Sequence, residues 1–156
     1  MTNAKLRRAR HSEVGACYAI TIVCHRRRPL LRDPACAGAV EHELQHLRSA
    51  DQLRPLAWVL MPDHLHALFQ LRDGELPRQL QAFKSRSAIA VNKVRGISGA
   101  AWQAGYYDHR LRSERQLRVQ ARYLLENPLR GGLATRIEDY PYWYCAWVSA
   151  TGDLLI

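Results

Sequence analysis

Two apolar runs, residues 56–61 (LAWVLM) and 64–71 (HLHALFQL), are separated by nothing but Pro62 and Asp63. Two extended runs joined by so short a turn fold as an antiparallel hairpin. A lone hairpin is marginal in water, so more strands must flank it. Residues 15–24 (GACYAITIVC) are rich in β-branched and aromatic side chains and predict one. Residues 105–112 (GYYDHRLR) predict another. Between these, Val40, Leu44 and Leu47 recur at helical spacing and predict a helix over 35–50. A second helix is predicted over 76–95, broken by Gly96 and Gly99. A third starts at Ser113, where Gln116 three residues on gives a capping-box pattern. It runs to about Asn127, because Pro128 disfavours helix at the residue before it. The order β-α-β-β-α-β-α is the split βαβ, ferredoxin-like plan of the α+β class. Helices cover one face of an antiparallel sheet, and the last helix lies against or near the other. The remainder, from Arg130 on, is expected to wrap back on the core.

The 156 residues suit one domain. Residues 1–13 read as a basic arm, 14–147 as the domain and 148–156 as a tail. No run approaches the roughly 18 apolar residues of a membrane span, and no apolar segment follows the basic N-terminus as in a secretory signal. Cys17, Cys24, Cys36 and Cys145 form no CxxC pair and read as reduced thiols, so a cytoplasmic setting is expected.

Charge narrows the class of partner. Lys plus Arg number 23 against 14 acidic residues, a formal net charge of +9. Such a balance fits a polyanion, most simply nucleic acid. Candidate phosphate contacts are Arg7, Arg8 and Arg10 in the arm, Lys84 and Arg86 on the second helix, Arg110 and Arg112 at the fourth strand, and Arg130 after the third helix. Trp102, Tyr106 and Tyr107 are candidates for stacking on unpaired bases, although at least two of them are expected in the core.

In the third strand His64 and His66 are two apart. Side chains alternate across a strand, so both rings share one face with Leu68 and Gln70, while Leu65, Ala67, Phe69 and Leu71 face the helices. Two imidazoles side by side on a rigid strand suit a metal ion. On the third helix, Gln116, Gln120, Tyr123 and Asn127 follow one stripe beside a core stripe of Leu117, Ala121, Leu124 and Leu125. A tyrosine hydroxyl one turn from an amide, set over a histidine pair, is an arrangement suited to phosphoryl transfer. Residues 42–46 (HELQH) also match the HExxH pattern of zinc proteases. However, His42 and His46 lie opposite the apolar face of their helix, which disfavours that reading. A binding module without chemistry is the main alternative, since the same plan serves RNA-binding domains.

HLH (64–66) after MPD resembles the core of HUH endonucleases. WxxGYYDHxxR (102–112), RYLLENPLRGGL (122–133) and YPYW (140–143) resemble the REP-associated tyrosine transposases, and the likeness runs from about residue 15 to 147. The resemblance implies that Tyr123 attacks DNA to leave a 5′-phosphotyrosine and a free 3′-OH. It implies that His64 and His66 hold one Mg²⁺ or Mn²⁺, with Asn127 as a third metal-facing polar residue. The implied substrate is single-stranded DNA folded into imperfect palindromic hairpins of REP type, in the bacterial nucleoid. The implied assembly is a monomer or homodimer, with the tyrosine helix serving its own histidines or a partner's.

Overall fold

A computed structural model describes residues 12–148 of the chain. Within them, β1 (Cys17–Val23), β2 (Leu53–Met61), β3 (His64–Leu71), β4 (Tyr107–Leu111) and β5 (Trp143–Cys145) form one antiparallel sheet in the order β4-β1-β3-β2-β5. The helices are α1 (Pro34–Ala50), α2 (Leu76–Arg95), α3 (Glu114–Leu125) and the single turn α4 (Asn127–Arg130). The first four strands follow the split βαβ order, and the expected fold class holds. Among the described residues no helix is long and apolar enough to cross a membrane. The candidate contacts Arg7, Arg8 and Arg10 lie outside the described residues.

Local chemistry sets the helix ends. Asp33 caps α1 by accepting from the Ala35 amide at 3.0 Å, with Pro34 in the first turn, where a missing N–H costs nothing. Gly96 closes α2 at φ 66°, a left-handed conformation that glycine adopts without strain. Ser113 Oγ accepts from the Gln116 amide at 3.1 Å, and Gln116 Oε1 accepts from the Arg112 amide at 2.7 Å. That reciprocal cap starts α3. It also stops β4 at Leu111, one residue short of the expected end, because the next amide is already used.

Three further boundaries differ from expectation. β2 begins at Leu53, and Pro55 lies inside it where the register shifts between Pro55 and Ala57; a proline is tolerated in a strand at such an irregularity. The third helix divides, with α3 ending at Leu125 and α4 opening at Asn127. Pro128 has no N–H to give, so the ladder is interrupted there. The YPYW segment does more than wrap around. Trp143–Cys145 pairs with β2, the Leu60 amide donates to the Tyr142 carbonyl at 2.9 Å, and the Tyr140 hydroxyl donates to the Leu60 carbonyl.

Strand alternation sorts the core into two layers. Tyr18, Ile20, Ile22, Trp58, Leu60, Leu65, Ala67, Phe69 and Leu71 face α1 and α2, joining Val40, Leu44, Leu80 and Phe83. Ala19, Ala57, Val59, Leu68 and Leu111 face Ala121, Leu124 and Leu125 of α3, with Leu117 partly buried against them. Each large apolar side chain buried in either layer contributes roughly 1.5–3 kcal/mol. β3 is the central strand, so whatever it carries on the α3 face is held from both sides.

Candidate active site

His64 pairs across the sheet with Val23 and Met61, and His66 with Thr21 and Val59. Both rings stand on the α3 face, in the column that ends in buried Leu68, as the alternation predicts. His64 Nδ1 lies 2.8 Å from Asp63 Oδ1. The residue read from sequence as half of a turn thus orients a ring, leaving Nε2 as the nitrogen turned from the carboxylate. Burial alone would raise the Asp63 carboxyl pKa. The hydrogen bond and charge of His64, with the Arg27 guanidinium 3.5 Å away, pull it below its ordinary value. His66 is held down to about 4, first by burial, then by the charges of His64 and Arg130. At neutral pH its ring is therefore uncharged, the state in which imidazole has a lone pair to give.

The far wall comes from the end of α3 and from α4. Asn127 Nδ2 lies 2.9 Å from His66 Nδ1, so the amide and the ring meet as the stripe on the helix suggests. Tyr123 stands one turn earlier with 53% of its surface exposed. The Arg130 guanidinium lies over its ring, 4.0 Å from the centroid, donating to the Tyr123 carbonyl at 2.7 Å and to Asn127 Oδ1 at 2.8 Å. Gln116, on the same predicted stripe, serves instead as the helix cap. Asp63 and Arg130 are the residues whose local roles the sequence reading missed. Adjacency to His64 and the i+3 spacing from Asn127 were the available signals.

The other candidate contacts are more dispersed. Lys84 was expected on the surface, but it is buried and donates to the carbonyls of Gln103 and Gly105 at 2.9 and 2.7 Å, pinning the loop before β4. A lysine can be buried when backbone oxygens take up its charge. Arg86 pairs with Glu43 of α1 at 3.1 Å, on the helical layer behind the sheet from the histidines. That pairing also occupies the acid of the HELQH segment, while His42 and His46 are exposed. Arg110 pairs with Glu13 at 2.6 Å, and Arg112 is exposed at the start of α3. Among the aromatics, Trp102 is buried with Nε1 donating to Ser87 Oγ at 2.9 Å, and Tyr106 packs against the first core. Tyr107 shares a row with Thr21 and His66 on the α3 face. It is the stacking candidate left beside the site.

No group of three or more His, Cys, Asp or Glu able to hold a metal occurs among the described residues. The donor set is two imidazoles and an amide. The Asn127 side chain reaches the His66 ring, 2.9 Å from Nδ1, so an amide oxygen and the two imidazoles lie within reach of one point. By donor chemistry the residues fit one divalent ion, which His64, His66 and Asn127 would hold.

Comparisons with known proteins bear on the family and the fold. The family model for IS200-like transposases matches residues 13–127. A REP-associated tyrosine transposase of Escherichia coli K12 is 26% identical over 88 residues, covering 55% of this chain and 50% of that protein. A Haemophilus influenzae protein named as a candidate of the same kind is 23% identical over 104 residues, covering 56% of each. The match thus spans about half the length of these curated relatives. A solved structure of a REP-associated tyrosine transposase bound to a REP hairpin has a TM-score of 0.67 at 18% identity, covering 94% of this chain and 96% of that one.

Proposed function

The chain belongs to the IS200-like transposase family, and from that premise we propose that it cuts and rejoins single-stranded DNA at palindromic hairpins, with Tyr123 as nucleophile. One observation carries the reading: Asn127, one turn beyond the exposed Tyr123, lies 2.9 Å from His66 on the central strand. The hairpin-bound relative of like fold supports the choice of substrate.

In the cleavage step the Tyr123 Oη–phosphorus bond forms and the phosphorus–O3′ bond breaks. The phenol gives up its proton and the departing 3′ oxygen gains one. Rejoining reverses this, with a 3′-OH attacking the phosphotyrosine and Tyr123 leaving. His64, His66 and Asn127 would hold one Mg²⁺ or Mn²⁺. When bound, that ion supplies charge to the scissile phosphate. The chain does the rest. Asp63 fixes the His64 ring, as a carboxylate bonded to the far ring nitrogen does for metal-ligating histidines. Burial keeps His66 neutral. Arg130 braces the Tyr123 ring while leaving the side chain open to a strand. Arg112 and the arm residues Arg7 and Arg8 are proposed to contact phosphates, and Tyr107 to stack on a base. Asn127 and His66 of one chain are in contact, so we place the tyrosine helix over its own histidines, in cis.

The test is a denaturing gel of labelled single-stranded hairpin DNA with Mn²⁺. Wild type should give a covalent protein–DNA band that Tyr123→Phe lacks while still binding the hairpin. Cleavage by Tyr123→Phe at the wild-type rate would remove Tyr123 from the role. Activity restored on mixing Tyr123→Phe with His64→Ala would overturn the cis arrangement.

A further inference from the structure

Arg130 does more at the site than add positive charge. Its Nη2 donates to both the Asn127 side chain and the Tyr123 backbone carbonyl. Its Nη1 faces the Glu126 carboxylate at 3.5 Å, and its plane covers the Tyr123 ring. A guanidinium has five donors and no acceptor, so the Asn127 atom it meets must be the oxygen. The amide's other end, the NH₂ group, is then the end that faces His66 Nδ1 at 2.9 Å. An NH₂ group offers only donors, so that ring nitrogen has to accept. A neutral imidazole has one protonated nitrogen and one lone pair, which puts the His66 proton on Nε2. In this arrangement neither ring nitrogen has a lone pair to spare: Nδ1 is engaged by Asn127, and Nε2 carries hydrogen. The Asn127 oxygen is likewise taken. Two of the three donors assigned to the site are thus occupied by the protein itself.

We infer that Arg130 is a positioning residue that holds Asn127 and His66 in this engaged arrangement, and that a DNA phosphate opens the site by drawing the guanidinium away. Phosphate is the natural competitor, because the guanidinium fork binds it through two charge-assisted hydrogen bonds. The carboxylate now facing Arg130 makes only a long contact, at the outer limit of a hydrogen bond, and the side chain is 39% exposed. Once Arg130 turns to a phosphate, the Asn127 amide is free to rotate and present its oxygen. The His66 proton can then move to Nδ1, leaving Nε2 with a lone pair. Arrival of the strand and completion of the donor set become one event. The inference rests on the nuclease reading above.

The deciding experiment is nitrogen-15 NMR of the His66 ring in the full chain at neutral pH, without metal or DNA. Wild type should show a single tautomer protonated at Nε2. Arg130→Ala should show a mixture of tautomers. Asn127→Asp, whose carboxylate can only accept, should move the proton to Nδ1. Nδ1 protonation in wild type, or an unchanged tautomer in both variants, overturns the assignment. Calorimetry with Mn²⁺ alone tests the coupling. Arg130→Ala should bind Mn²⁺ about tenfold more tightly than wild type, within the usual range for coupled sites. A single-stranded oligonucleotide should tighten Mn²⁺ binding to wild type by a similar factor, and to Arg130→Ala far less. Equal Mn²⁺ affinities for the two proteins would overturn the coupling. Failure of every form to bind Mn²⁺ would sink the metal reading of the site, whereas the tautomer measurement still decides the role of Arg130.

Discussion

The two faces of the sheet meet their helices with different side chains. Toward α1 and α2 the strands present Tyr18, Trp58, Phe69 and large aliphatic residues, packed into one continuous core. Toward α3 they present Ala19, Ala57, Val59 and Leu68, and at the end of the central strand His64 and His66. The first face is closed by two helices of 17 and 20 residues. The second is closed by one of 12 residues, whose contacts fall on β2 and β3. Large, shape-specific side chains hold the first layer rigid. Smaller ones on the second face seat α3 while leaving polar groups at its margin. Large apolar side chains are thus concentrated on one side of the sheet and the candidate site lies on the other, with β3 contributing to both through its alternate residues.

That division can be broken from either side, and the largest effect should come from the chemical face. His64→Ala should lower hairpin cleavage on the order of 10³-fold or more, if the site supplies the main electrostatic help. Its thermal unfolding should stay within a few degrees of wild type, as checked by calorimetry. A large loss of stability would show that the ring belongs to the core. From the other side, Phe69→Ala should cost about 3–5 kcal/mol in urea unfolding. The cleavage rate per folded molecule should be retained, and a rate falling in step with His64→Ala would erase the division.

Acid should act next. His66 titrates near 4 in the fold against 6.5 ordinarily. Between those values the unfolded chain binds a proton that the native chain does not. Stability of the metal-free protein should therefore fall as pH drops from 6.5 toward 4, by up to about 1.4 kcal/mol per pH unit from this residue. The lowered Asp63 carboxyl acts in the same direction as pH falls. His66→Asn should remove the first component, and urea melts across that range would show an unchanged slope if the assignment is wrong. The smallest effect should be that of Arg86→Ala. Its exposed pair with Glu43 is worth at most about 1 kcal/mol, and hairpin affinity in a filter-binding assay should be unaffected. A clear loss of affinity would bring the helical layer behind the sheet into DNA binding.

What the sequence made legible follows from periodicity. A spacing of two on a strand put both histidines on one face, and a spacing of four brought Asn127 near them behind Tyr123. The split βαβ order followed from element types alone. What escaped were features without a period. β5 is three residues long, too short for alternation to register. Lys84 in a helical window reads as a surface charge, and only the fold reveals the two carbonyls that bury it. Asp63 looks like turn chemistry until its carboxylate is seen beside the neighbouring ring. Arg130 looks like a generic phosphate contact until the two groups it donates to are known.

The strand order has a consequence in time. The inner hairpin of β2 and β3 closes across two residues, whereas both outer strands come from late in the chain: Leu111 pairs with Cys17, and Cys145 with Ala57. Local pairings form early, and distant ones wait on the entropy of closing long loops. Pulse-labelled hydrogen exchange during refolding should protect amides of the hairpin before those of α3, and the reverse order would contradict this. A folding chain would then display its histidines before the helix that carries Tyr123 has docked, so the proposed nucleophile becomes available only in a nearly finished molecule.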